Sequence, residues 1–322
     1  MAVYTEVSDE ALAAFLAEYA LGPLVAFRGI AEGVENSNYA LRTGAGDFIL
    51  TLYEKRVDPA DLPYFLGLME HLAGRGLPCA RPVAGRDGVA LRRLCGRFAA
   101  ITTFLPGVWP RRTQPWHCAA VGEALARVHE AGADYPARRT NALGPAGWPP
   151  LLERALAGHD AADALAPGLG AELRAALARI LVAWPADLAL GHIHADLFPD
   201  NVFFLDGRVS GLIDFYFAAT DLLAYDLAVC LNAWCFEPDL SCNVTKARAL
   251  LRGYAGLRPL AAEELAALPV LAAGAALRFA LTRLYDWVNT PPGALVVRKD
   301  PLDYVRRLRF HLGARDAAAY GL

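Results

Sequence analysis

The spacing of apolar positions divides the chain into a strand-rich beginning and a helical remainder. Ser8 followed by Asp9 and Glu10 has the form of a helix start, a capping hydroxyl ahead of acids that the positive end of the helix dipole favours. The helical pattern runs to about Tyr19 and stops at Gly22-Pro23. The period then becomes that of strands over 24–30, 37–43 and 48–54, the last two joined by the turn Gly44-Ala45-Gly46-Asp47. A helix over 62–73, ended by Gly74 and Gly76, precedes two more strands over 89–94 and 98–104, separated by Cys95-Gly96. Leu105-Pro106-Gly107 breaks the chain.

Beyond that break the pattern predicts helices over 115–130, 149–157, 171–183, 221–235, 244–255, 262–288 (bent at Pro269) and 301–312. Asn243 and Asp300-Pro301 read as N-caps, the latter with proline at the first helical position. One strand-rich island, 188–217, interrupts the helices with apolar runs at 202–205 and 209–213 around Asp206-Gly207. No internal repeat is visible. The expected architecture is α+β and bilobal: a small antiparallel-sheet lobe over 1–105 with one or two helices, a Pro-Gly hinge near 106, and a larger, mainly helical lobe over 106–322.

Composition narrows the function classes. With 322 residues, 55% of them hydrophobic, and a net charge of -3, the chain can bury a full core and is not a disordered one. The near-neutral balance lacks the basic excess of a dedicated nucleic-acid binder. The longest uncharged stretch of the C-terminal half, 265–277, contains Pro269 and Gly274 and falls short of the ~20 residues of a spanning helix. Glu6, Asp9 and Glu10 stand where a secretory peptide carries positive charge, so a cytoplasmic protein is expected, a monomer or small homo-oligomer with no membrane partner. Cysteines 79, 95, 118, 230, 235 and 242 form no C-x-x-C pair and no zinc spacing. The sequon Asn243-Val244-Thr245 has no meaning in that compartment. Three of the 31 cations are lysines (Lys55, Lys246, Lys299), and Lys55 alone falls in the small lobe.

Chemistry concentrates in His192-Ile193-His194-Ala195-Asp196-Leu197-Phe198-Pro199-Asp200-Asn201, followed after a short hairpin by Ile213-Asp214-Phe215. The segment contains H-x-D-x4-N and then an aspartate after an apolar strand. Phosphoryl transfer has use for these types at this spacing: an aspartate to orient a hydroxyl and accept its proton, then an amide oxygen and a second carboxylate to hold Mg²⁺ against phosphates.

These residues resemble the paired H-x-D-x4-N and D-F-G motifs of the protein-kinase-like fold, in its aminoglycoside-phosphotransferase and choline-kinase branch. Longer strings, Gly29–Tyr39, Ile49–Lys55, His194–Phe204, Gly211–Phe217, Leu222–Asp226, Asn232–Phe236 and Arg278–Trp287, are similar to the bacterial homoserine kinases of that fold and cover nearly the whole chain. The resemblance implies ATP and Mg²⁺ as cofactors, Asp196 as catalytic base, Asn201 and Asp214 as Mg²⁺ ligands and His194 as a brace of the loop. It implies a small-molecule acceptor, L-homoserine, phosphorylated for threonine synthesis. A choline, methylthioribose or aminoglycoside kinase keeps the fold and changes the acceptor; the Arg-rich C-terminus (Arg298, Arg306, Arg307, Arg309, Arg315) suits a polycationic acceptor poorly. A non-catalytic kinase-like module would typically lack one of the three acidic and amide groups, and a metal phosphohydrolase would need more clustered ligands.

The nucleotide-facing residues are less determined. Gly29-x3-Gly33 is not a G-x-G-x-x-G, but between two strands of such a lobe it suits a flap over phosphates, with Ser37 among the donors. Asn36 and Asn38 suit turn geometry or ligand contact equally. The strand position that would carry a phosphate-binding cation holds Thr51, leaving Lys55, four residues on and on the same strand face, or Arg42. Glu70 is either the cation's partner or a surface acid. For the acceptor, Arg283 and Asp286 share a helix face and suit a carboxylate and an ammonium, or else pair with each other. Asn232 is a further substrate candidate; Trp234 reads as core, His192 as a packed or solvent-facing ring, and Asp226 as a tie between loop and helix.

Overall fold

The computed structural model describes residues 4–30, 36–54, 57–157, 161–290 and 298–322. They form two compact units: Met1–Val108 with Asp134–Arg139 and Phe203–Tyr216, and Trp109–Ala133 with Thr140–Val202 and Phe217–Leu322. Gly33 and Lys55 lie outside the described residues.

The first unit begins with α1 (Asp9–Leu16), whose Ser8 side chain accepts the Ala11 N–H as anticipated. Strands β1 (Leu24–Gly29), β2 (Ser37–Thr43) and β3 (Gly46–Tyr53) follow, then α2 (Leu62–Gly74), β4 (Arg92–Leu94) and β5 (Arg97–Thr103). The strands form one antiparallel sheet in the order β1-β2-β3-β5-β4. Alternation in β2 and β3 turns Tyr39, Leu41, Leu50 and Leu52 onto Leu12, Phe15 and Leu16 of α1, and Ile101 of β5 completes that core. Two sequence expectations shift. The first helix stops at Leu16 because Glu18 and Tyr19 bond back three residues in a tighter turn. The strand expected from 89 starts at Arg92 because a turn about Asp87 and Gly88 bonds the Gly85 N–H to the Val89 carbonyl.

The second unit contains α3 (Pro115–Gly132), α4 (Trp148–Leu156), α5 (Ala161–Leu165), α6 (Leu169–Ala183) and β6 (Leu190–Ile193). The chain then forms the hairpin β7 (Val202–Leu205) and β8 (Arg208–Leu212), which apart from Val202 groups with the first unit, as does Asp214. It returns as β9 (Ala219–Leu222), α7 (Leu223–Trp234), α8 (Val244–Ala255), α9 (Ala262–Asn289) and α10 (Leu302–Gly313). The helix expected from 221 thus begins two residues late. Ala219–Leu222 pairs antiparallel with β6, a contact between segments 30 residues apart that local periodicity does not register. Helix α10 also begins one residue late: Asp300 accepts the Leu302 N–H, so Pro301 is the cap.

Helix α9 has the length and apolarity of a membrane span, but 78% of its apolar window is buried, as in a core helix. Helices α3 and α8 cross at glycines. A Cβ on Gly122 would meet the Leu250 carbonyl, and one on Gly253 the Ala119 carbonyl. Gly253→Ala must therefore push the pair apart, and a stability loss of about 1–3 kcal/mol is expected from chemical denaturation; an unchanged midpoint would show that the crossing relaxes.

Candidate active site

The second unit builds its site at the end of β6. Pairing of β6 with β9 brings the turn after Ile193 beside the first turn of α7. There Asp226, fully buried, accepts the His194 N–H at 2.7 Å and the Ala195 N–H at 2.8 Å, one on each carboxylate oxygen. Ala195 is held at φ 62, a left-handed conformation a non-glycine residue adopts only when its surroundings impose it. His129 Nε2 lies 3.1 Å from Asp226, and its Nδ1 lies 2.7 Å from the Tyr254 hydroxyl. Arg258 donates to that hydroxyl and pairs with Glu264. Burial alone would raise the Asp226 carboxyl, but the His129 ring and the bonds from the loop hold it below the usual carboxylate range.

Beyond the turn, three successive carbonyls are each taken by a side chain. Arg278 donates to the Ala195 carbonyl, Asn201 Nδ2 to that of Asp196 at 2.8 Å, and Trp234 Nε1 to that of Leu197 at 2.7 Å. The Asp196 N–H donates to His194 Nδ1 at 3.3 Å, the brace expected of that ring. A loop fixed from α7, α9 and its own 3₁₀ turn at Pro199–Asn201 thus presents the Asp196 carboxylate, 17% exposed, with Arg278 Nη2 3.9 Å from Oδ1. Asn201 spends its nitrogen on Asp196, which leaves Oδ1 as the atom that can serve a hard cation.

In the first unit, Asp214 sits at φ 65 just after β8, ahead of the 3₁₀ turn Phe215–Phe217. Tyr216 bonds the Tyr53 hydroxyl at 3.0 Å, and burial pushes the Tyr216 phenol up to about 12. Several nucleotide candidates have other work. Ser37, fully buried, donates to Glu54 at 2.8 Å and accepts the Tyr4 and Thr5 N–H groups, which ties the N-terminal segment to the start of β2. Arg42 pairs with Asp47 across the β2–β3 turn, and Thr51 donates to Asn38 on the paired strand. Asn36 accepts the Glu54 N–H at 3.3 Å, so both asparagines bind the strands together. Glu70 faces Arg81 at the surface.

Two acceptor candidates have contacts of their own within the protein. Asn232 is fully buried: its amide donates to the Ala228 and Ala272 carbonyls and its oxygen meets His311 Nε2 at 3.2 Å, so it joins α7, α9 and α10 and is not open to substrate. Arg283 reaches the start of α10, donating to the Asp300 carbonyl at 3.0 Å and lying 3.4 Å from Asp303. Trp234 and His192 are buried, and Asp226 is the tie the sequence suggested. Arg278 was missed. Its signal is its position, a cation directly after the uncharged run 265–277 in a long, largely buried helix.

The family model of a phosphotransferase enzyme family matches residues 26–260. A homoserine kinase of Granulibacter bethesdensis is 72% identical over 322 residues, covering 100% of each chain. One of Acidiphilium cryptum is 70% identical, again covering 100% of each. Among solved structures, an amicoumacin kinase in complex with AMP-PNP, Ca²⁺ and its ligand is 17% identical with a TM-score of 0.66, covering 94% of this chain and 92% of that one. That likeness gives the fold: an antiparallel-sheet region followed by a mainly helical one, the expected α+β arrangement of the protein-kinase-like small-molecule kinases. Matched over most of its length by the family model and along its whole length by these relatives, the chain belongs to the phosphotransferase enzyme family, on the branch of these homoserine kinases.

Proposed function

We propose that the protein transfers the γ-phosphoryl group of ATP to the hydroxyl of L-homoserine, forming O-phospho-L-homoserine for threonine synthesis. The observation that carries this reading is full-length identity of 72% to a homoserine kinase, in a chain whose Asp196 is held by bonds from three elements. Asp196 orients the acceptor hydroxyl and takes its proton as the oxygen attacks phosphorus in line, while the clamped loop keeps the carboxylate aimed with little reorganisation.

Asn201 Oδ1 and the Asp214 carboxylate are the hard oxygen donors assigned to Mg²⁺, which when bound neutralises charge on the transferring phosphates. With Arg42 and Thr51 engaged elsewhere in the sheet, Lys55 is the cation assigned to the nucleotide phosphates.

The test is ADP release coupled to NADH oxidation, with L-homoserine, choline, methylthioribose and kanamycin as acceptors. Turnover is expected with L-homoserine at a kcat/KM at least about tenfold above the others, a difference of ~1.4 kcal/mol in transition-state binding. Preference for any other acceptor in that set would replace the assignment.

A further inference from the structure

One side chain of the second unit is buried without any use for its polar atom. Tyr304, on α10, is fully buried and its hydroxyl has no hydrogen-bond partner among the described residues. Leaving such a group unsatisfied costs roughly 1–3 kcal/mol, so folds rarely retain one without a ligand or water to meet it. The guanidinium groups of Arg283 and Arg307 each lie 4.4 Å from the centroid of this ring. Phe279 packs at 5.0 Å from it, and Arg278 lies 4.3 Å over Phe279. The Nε atoms of Arg278 and Arg307 are also buried and have no partner among the described residues.

Cationic side chains crowd the ring. Arg278, Arg283 and Arg307 gather there, with Lys299 5.9 Å over the neighbouring Phe198. The paired carboxylates are Asp303, 3.4 Å from Arg283, and Asp196, 3.9 Å from Arg278. Burial lowers the pKa of Arg283, and the charge of Arg307 acts in the same direction. The Tyr304 phenol is raised by burial and feels Arg307, Arg283, Asp196 and Arg278 together, which places ring, arginines and base in one electrostatic neighbourhood. Guanidinium donates and never accepts, and a phenol beside it has its proton to give. Such a set is completed by a group with several acceptor oxygens and a negative charge.

We propose that Tyr304, Arg307 and Arg283, with Arg278 as their link to Asp196, form the subsite for the carboxylate of the acceptor, so that the enzyme selects an amino acid over an amino alcohol of the same length. The proposal rests on homoserine being the acceptor. It assigns the selection to α10, an element outside the residues the family model matches. Arg278 also serves the site by holding the Ala195 carbonyl, so it is a positioning residue for the base as well.

The experiment compares L-homoserine with 3-aminopropan-1-ol, which keeps the amine, the chain and the hydroxyl but has no carboxylate. Tyr304→Phe removes one oxygen that bonds none of the described residues, so the variant is expected to fold. It should raise KM for L-homoserine about 3- to 10-fold, the effect of one hydrogen bond to a charged group, and leave the kinetics with 3-aminopropan-1-ol unchanged. Arg307→Ala should raise KM for L-homoserine about 10- to 100-fold, with partial recovery in Arg307→Lys. Because Arg307 also donates to the Asn232 carbonyl, its variants are read only beside Tyr304→Phe. Equal losses with both acceptors, or a raised KM for ATP with L-homoserine unaffected, would overturn the subsite and leave the homoserine reading intact. Wild-type enzyme without turnover on L-homoserine would remove that reading and this proposal with it.

Discussion

Asp196→Asn is expected to lower kcat with L-homoserine by about 10²–10⁴-fold, the range that a positioned general base supplies, while ATP still binds. The substitution is isosteric, and the three bonds to the loop carbonyls are not made by the atoms it changes. Asn201 donates to the backbone carbonyl of Asp196, Arg278 to that of Ala195 and Trp234 Nε1 to that of Leu197. The loss is therefore one of charge and proton acceptance, not of geometry. The carboxylate also balances Arg278 at 3.9 Å, so its neutralisation leaves a buried guanidinium with one anion fewer. Asp200, exposed on the same turn, is the control: Asp200→Asn changes charge by the same amount and should leave kcat near the wild-type value. ADP release followed with both variants, and ATP binding by calorimetry, checks the result. Undiminished turnover in Asp196→Asn would end its assignment as the base.

The parts of this site that sequence makes legible are those whose function is written in local spacing. His194, Asp196 and Asn201 share one loop because x and x4 spacing around a strand end puts them there, and Asp226 sits in the first turn of α7, the next α-helix. The sheet was equally readable, since β2 has a clean inside–outside alternation. Residues assigned by analogy of position fared differently. Ser37 and Asn232 are polar residues that read as ligand groups, yet each is fully buried and bonded to protein. A buried polar group must be satisfied by something, and its sequence neighbours do not say whether that is substrate or backbone. The converse holds for Tyr304 and Arg278. Arg278 matters through a contact 83 residues away along the chain and Tyr304 through a hydroxyl left unpaired among the described residues, and neither leaves a trace in residue type or period. Strand β9 was lost for a related reason: four residues that run straight into a helix carry too short a pattern, and only pairing with β6 defines them.

Asp226→Asn is expected to cost about 3–5 kcal/mol of stability, the range for removing one partner of a buried charged pair. Both oxygens of the native carboxylate accept a backbone N–H, from His194 and from Ala195. An asparagine can offer only one acceptor there, so its amide N–H₂ must face a second donor. The His129 ring, 3.1 Å away, loses its anionic partner as well. At ~2–4 °C per kcal/mol for a chain of this size, Tm should fall by roughly 6–20 °C. The residual folded enzyme should also turn over slowly, by about 10²-fold, because Ala195 is no longer compelled to its left-handed conformation and the base is displaced. The pH dependence separates the carboxylate from mere packing. Its folded pKa lies below the ordinary value, so the stability it contributes is complete above ~4 and is lost as pH falls through the folded value. The Tm difference between wild type and Asp226→Asn should therefore stay constant from pH 8 to 5 and narrow only below about pH 4, as the pH falls through the lowered folded value. A difference that persists undiminished at the acid end would mean that shape, not ionisation, holds the loop; no difference at any pH would mean that Asp226 does not hold it.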